Sequence, residues 1–160
     1  GLDGVSLAGL LTGRGSAPAR SLFWHFPHYT NQGSRPSGAM RDGNWMLVEY
    51  YDDDTAELYD LTADIRETHD LAAQRPERVA RMRAALAAWR REVNAQTNRP
   101  NPDFDPARHR ALYRDVDAGR FDPAQAGQAE WEKMWAWRKG MNAVLPRSEK
   151  AKPKPRAKNG

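Results

Sequence analysis

Asp42-Gly43, set between the short run Ala39–Arg41 and the apolar run Trp45–Tyr51, limits most strongly what this chain can become. Asp-Gly tolerates the positive φ of a tight turn, so the two flanking runs are committed to an antiparallel hairpin. Trp45–Tyr51 is the strongest strand in the sequence. Trp45, Leu47 and Tyr51 fall on one face; Met46, Val48 and Tyr50 fall on the other. Apolar residues on both faces predict an interior strand covered on both sides. Upstream, Leu22, Trp24 and Phe26 alternate with Phe23 and His25, the period of a strand. Pro27 has no N–H and ends its pairing. Downstream, Asp52-Asp53-Asp54 reads as a turn and Glu57–Leu61 returns as a further strand. The expected product is an antiparallel meander of about four strands.

One long helix is expected beside that sheet. Pro76 suits a first helical turn. Val79, Met82, Leu86, Trp89 and Val93 then repeat at spacings of three and four, one apolar stripe that can pack across the sheet. Arg78, Arg81, Arg83, Arg90 and Arg91 mostly lie off it. Further on, Phe104-Asp105-Pro106-Ala107 and Phe121-Asp122-Pro123-Ala124 carry the same signal: Asp as N-cap, Pro at the first helical position. The first is expected to open a short helix to about Val116. The second is expected to open a helix with Trp131, Met134, Trp135, Met141 and Leu145 near one face and Trp137 pointing away from it. The fold class is α+β: a small antiparallel sheet with a long helix across it, plus a helical C-terminal extension.

The chain has no Cys, which excludes disulfides, a thiolate zinc site and a cysteine nucleophile. Its formal charge of +4 is concentrated at one end. Residues 147–160 hold six Lys/Arg and one Glu, which leaves about −1 for residues 1–146. The folded part is therefore not expected to bind nucleic acid, and 147–160 reads as a disordered basic tail. No apolar run is long enough for a membrane span. The chain opens on Gly-Leu-Asp-Gly, without Met or a signal-peptide pattern, and reads as part of something longer.

The candidate substrate-binding residues are His25, His28 and Tyr29. The Leu22–Phe26 strand anchors them and Pro27 releases them into the Thr30–Gly38 loop. Either imidazole nitrogen can donate to a polar or anionic group. The plainer reading is one strand-capping His and one loop His. His25-x-x-His28 lacks nearby carboxylates for a metal. Asp52–Asp54 lacks the spaced oxygens of a calcium loop and reads as a solvated turn. No catalytic and no metal-binding residue is assigned.

Taken in order, Asp3-Gly-Val-Ser-Leu7, Leu22-Phe-Trp-His-Phe-Pro-His-Tyr29, Ala39-Met-Arg-Asp-Gly-Asn-Trp-Met-Leu-Val48 and Glu57-Leu-Tyr-Asp-Leu61 form a series. Asp64-Ile-Arg-Glu-Thr-His-Asp-Leu71, Pro76, Trp89 and Asn101-Pro-Asp-Phe-Asp105 continue it. The series resembles the C-terminal end of bacterial sulfatases. The resemblance implies the C-terminal subdomain of an alkaline-phosphatase-like, formylglycine-dependent sulfuric ester hydrolase. Its calcium, its formylglycine and its catalytic groups would lie in an N-terminal domain absent from this chain. Residues 1–20 would be the connector from that domain, 21–105 the C-terminal subdomain, and 106–146 an extension. The chain would carry no cofactor and would not be catalytic alone; with the absent catalytic domain as partner it would line the pocket for a sulfated carbohydrate or aryl sulfate. His25 or His28 would contact a sugar hydroxyl or a further sulfate. The parent enzyme would be periplasmic or extracellular. Ser16-x-Pro18-x-Arg20 fits the family's nucleophile pattern, but a strand follows it instead of a helix, so it is read as coincidence. Two other readings compete. One is a free-standing module for anionic carbohydrate using Trp24, His25, His28, Arg35 and Arg41. The other is a structural or nucleic-acid-associated protein acting through its basic tail.

Overall fold

The hairpin forms where the sequence places it. Strands β2 (Ser37–Asp42) and β3 (Trp45–Tyr50) pair antiparallel, with Met40 opposite Leu47 and Asp42 opposite Trp45. The connecting residues are Gly43 and Asn44, so Asp42 closes the strand and Gly43, at φ +57°, makes the turn. Glycine at the first central position matches the right-handed twist of the strands. The computed structural model describes residues 4–16 and 18–143; the basic run 147–160 and Leu145 lie outside the described residues. Strand β1 (Leu22–Phe26) pairs with β2, and β4 (Ala56–Asp60) pairs with β3. The sheet is four-stranded and antiparallel, in the order β1-β2-β3-β4. A short helix, α1 (Ala8–Leu11), precedes it.

Helix α2 (Pro76–Glu92) covers one face of this sheet. Met82 and Leu86 from the helix meet Met40, Leu47 and Leu58 from the strands, all buried. Phe23, Val79 and Trp89 close the rim of this core, and the Phe23 and Trp89 rings stack at 5.1 Å. Val93, the last residue of the expected stripe, lies past the helix end and is exposed. The second face of the sheet is covered less. Met46, Val48 and Tyr50 are half-buried there, while Trp24 and Phe26 are exposed. The outer edge of β4 is protected: Leu71 N–H donates to the Leu58 carbonyl, and Leu58 N–H donates to Asp70.

Contacts divide the chain into two units. The first comprises residues 1–28 and 36–98, the sheet and α2. The second comprises residues 29–35 and 99–160. In the second unit, α3 (Pro106–Tyr113) starts as expected, with Pro106 in its first turn and Asp105 accepting from Arg108 N–H at 3.0 Å. The second Asp-Pro pair does not start a helix. Asp122 closes a single turn through Gln125 and Ala126, and α4 begins only after Gly127, at Gln128–Ala143. The face expected of α4 is also corrected. Trp137 and Met141 are buried with Leu112, whereas Trp131 and Trp135 are exposed. Trp137 is drawn inward because its indole N–H donates to the Leu112 carbonyl at 2.9 Å, a partner that a buried indole needs.

Candidate functional site

His25 is carried by β1 on the face that α2 covers, in register with Gly38 of β2 and Glu49 of β3. Gly38 matters here because it has no side chain. A Cβ at position 38 would collide with the Tyr51 hydroxyl, so glycine leaves the room in which Tyr51 reaches His25. The Tyr51 hydroxyl lies 2.9 Å from His25 Nδ1, and the Gln96 carbonyl lies 2.8 Å from Nε2. A carbonyl can only accept, so Nε2 carries the proton, and in the neutral ring Nδ1 accepts from the tyrosine. Burial raises the Tyr51 phenol above its ordinary value, so it remains a donor at neutral pH. Both ring nitrogens of His25 are thereby engaged within the first unit.

Beside this pair lies a buried carboxylate. Glu49, 3% exposed, follows Leu47 on the same face of β3. A charge taken out of water needs a counter-charge. Arg83 and Arg90 supply it, spaced seven residues apart and so on one side of α2. Arg83 Nε lies 3.1 Å from Glu49 Oε2, and Arg90 Nη2 lies 3.0 Å from Oε1. The Oε1 contact is an ion pair without hydrogen-bond geometry. Asp54, at φ +58° in the turn after β3, bonds the outer nitrogen of Arg83. That bond, with Glu49 behind it, holds the Arg83 guanidinium firmly protonated. Arg90 also lies over the Tyr51 ring, 4.7 Å from its centroid. These groups line an open cleft of about 600 Å³ that Arg91, Asn94 and Gln96 also line. Its two best-placed cations are committed to Glu49 and Asp54. The cleft can hydrogen-bond a polar molecule, and within it the tyrosine donates to the histidine.

The three residues expected at the strand end are not gathered together. His25 faces Tyr51. His28 is exposed, its ring edge-on to Phe26 at 5.4 Å. Tyr29 belongs to the second unit, where its hydroxyl lies 3.2 Å from His109 Nε2 and its ring packs against Tyr113. Glu49, Arg83, Arg90 and Tyr51 were not singled out from the sequence. The available signal was Glu49 itself, a carboxylate between Leu47 and Tyr51 on a strand face otherwise apolar.

No family model matches the sequence. A sulfatase of Formosa agariphila is 31% identical over 108 residues, which is 60% of this chain and 20% of the relative. The chain therefore spans about a fifth of the length of the curated relative that it matches. A solved structure from Bacteroides thetaiotaomicron, provisionally assigned as a sulfatase, superposes with a TM-score of 0.50 at 26% identity, over 66% of this chain and 23% of that one. By sequence and by fold, the chain is homologous to the sulfatases over a part of such a protein.

Proposed function

We propose that this chain is the C-terminal portion of a sulfuric ester hydrolase, acting on a sulfated carbohydrate or an aryl sulfate. It completes the fold and lines one side of the substrate pocket, while the reacting groups belong to an N-terminal catalytic portion. One observation carries this reading: the likeness to a sulfatase extends over most of this chain yet accounts for only a fifth of that relative. In the first unit, Arg83 is paired with Glu49 and Asp54 and Arg90 with Glu49, which leaves these cations engaged within the fold. Residues 1–20 serve as the connector, 21–105 as the subdomain and 106–146 as an extension. The half-buried second face of the sheet, with Trp24 and Phe26 open, is the surface on which the catalytic portion seats.

His28 is the imidazole best presented to a substrate, being exposed at the strand end. His25 could reach one only by giving up Tyr51 or Gln96. Tyr29 remains a candidate contact, carried by the second unit. The calcium and formylglycine of the family belong to the catalytic portion. Among the described residues no three carboxylate or imidazole groups cluster as a metal would require. Among them, too, no helix is long and apolar enough to cross a membrane; the parent enzyme is assigned to the periplasm or the exterior.

The test is the coding sequence upstream of Gly1. An in-frame sulfatase catalytic segment is expected there. A stop codon directly upstream, with translation starting at this chain, would overturn the proposal. In the complete enzyme, replacing His25 and His28 with Ala is expected to raise KM or lower kcat/KM; unchanged kinetics would remove both residues from the pocket.

A further inference from the structure

We infer that the C-terminal extension acts as a template for the loop Tyr29–Arg35, with Trp137 and Arg138 of α4 as its positioning residues. The loop leaves the sheet at the strand end that carries His28 and re-enters it at β2, yet it packs with residues 99–143 of the second unit. Two sets of contacts fix it, and they do different things. The first set is internal and gives the loop its shape. Thr30 N–H donates to the Ser34 carbonyl at 3.0 Å, Gly33 N–H donates to the Thr30 carbonyl, and the Thr30 hydroxyl accepts from Gln32 and Ser34 N–H. The second set comes from the helices and gives the loop its place in the unit. Arg138 Nη1 donates to the Asn31 carbonyl at 2.9 Å. The Trp137 ring lies against Gly33 so closely that a Cβ there would stand 3.2 Å from Cζ2. Gly33 also has a φ of +97°, which a side chain opposes. At the head of the loop, Tyr29 is held by His109 and Tyr113 of α3.

The grip is anchored in turn. Trp137 is itself fixed by its bond to the Leu112 carbonyl, so the small core of the unit and the placement of the loop share one side chain. If the strand end carrying His28 contacts substrate, as proposed above, the extension then governs binding through a loop that follows that residue directly, without touching substrate itself.

Hydrogen exchange on the complete 160-residue chain tests the placement. Arg138→Met removes the donor to Asn31, Arg138→Lys keeps a cation there, and Gly33→Ala fills the space beside Trp137. Amides of Gln32, Gly33 and Ser34 are expected to exchange several-fold faster in Arg138→Met and Gly33→Ala. Arg138→Lys should stay near the native rate, and amides of α2 should not change in any variant. Native exchange at 32–34 in Arg138→Met would overturn the inference, whatever Gly33→Ala does, since a side chain at position 33 also strains the backbone. The consequence for binding is tested separately, in the complete enzyme encoded by the whole reading frame. Arg138→Met should raise KM several-fold with kcat little changed, and Arg138→Lys should restore it. A loosened loop with an unaltered KM would end the extension's claim on substrate binding. A complete enzyme that cleaves no sulfate ester would sink the proposed function and leave the loop placement standing.

Discussion

The two units are built on different economies. The first folds around five buried apolar residues drawn from three strands and α2, ringed by Phe23, Trp45, Val79 and Trp89. Among the described residues the second has three, Leu112, Trp137 and Met141. In the first, the apolar packing is shared among several side chains, and a buried carboxylate, Glu49, lies beside it. In the second, a single indole packs in the core, satisfies the end of α3 and lies against the 29–35 loop. Where apolar area is scarce, one residue has to do several jobs, and its loss should be felt more widely than its volume suggests.

The largest effect expected is in the first core. Leu86 is fully buried, so Leu86→Ala should cost about 3 kcal/mol in denaturant unfolding and speed amide exchange across β2 and β3. A cost below about 1 kcal/mol would mean that this core is not what holds the sheet to the helix. Trp137→Leu keeps some apolar volume but orphans the Leu112 carbonyl. We expect a loss of about 2–3 kcal/mol in the second unit, with faster exchange in both α3 and the 29–35 loop. Faster exchange in α3 alone would break the comparison, because the indole would then serve the core only. Glu49→Leu removes the buried carboxylate and leaves Arg83 with Asp54 alone and Arg90 to find water, each arginine about a third exposed. That exposure limits the expected cost to about 1–2 kcal/mol, read from the denaturation midpoint. A more stable protein would show that the buried charge serves something other than folding.

The smallest effect concerns acid. Asp64 is partly desolvated, but it accepts from the backbone of His69 and from the hydroxyl and backbone of Thr68, and these bonds hold its carboxyl below the usual range. A lowered native value means that the carboxylate stabilises the fold above about pH 4. The contribution is lost as pH falls through the native value. Asp64→Asn should therefore flatten the acid limb of a stability–pH curve, leaving the neutral limb lower but parallel. An unchanged acid limb would contradict the assignment.

What could be read from the sequence follows the same division. The strands, α2 and the Asp105 cap depend on local pattern: alternation, a stripe of period 3.6, an Asp-Pro pair. Each was legible, and the likeness to sulfatases confirms the sheet-and-helix architecture they imply. The α4 face was not legible, because Trp131 and Trp135 repeat at helical spacing just as Met134, Trp137 and Met141 do. The choice between the two faces was made by Leu112 on another helix, which offers its carbonyl to one indole only. The start of α4 was misread because Asp122-Pro123 closes one turn before Gly127 interrupts it. The Glu49 cluster was out of reach for a related reason. It joins a strand to two arginines far along the chain, and only the packing of α2 on β3 brings them together.

We propose that this chain is the supporting portion of a sulfuric ester hydrolase and that the cleavage centre belongs to the rest of that protein. Incubating the purified 160-residue chain with 4-nitrophenyl sulfate, beside the complete enzyme encoded by the whole reading frame, tests it most directly. We expect 4-nitrophenol from the complete enzyme and none above buffer from the chain. Release by the chain alone, in proportion to its concentration, would contradict the account.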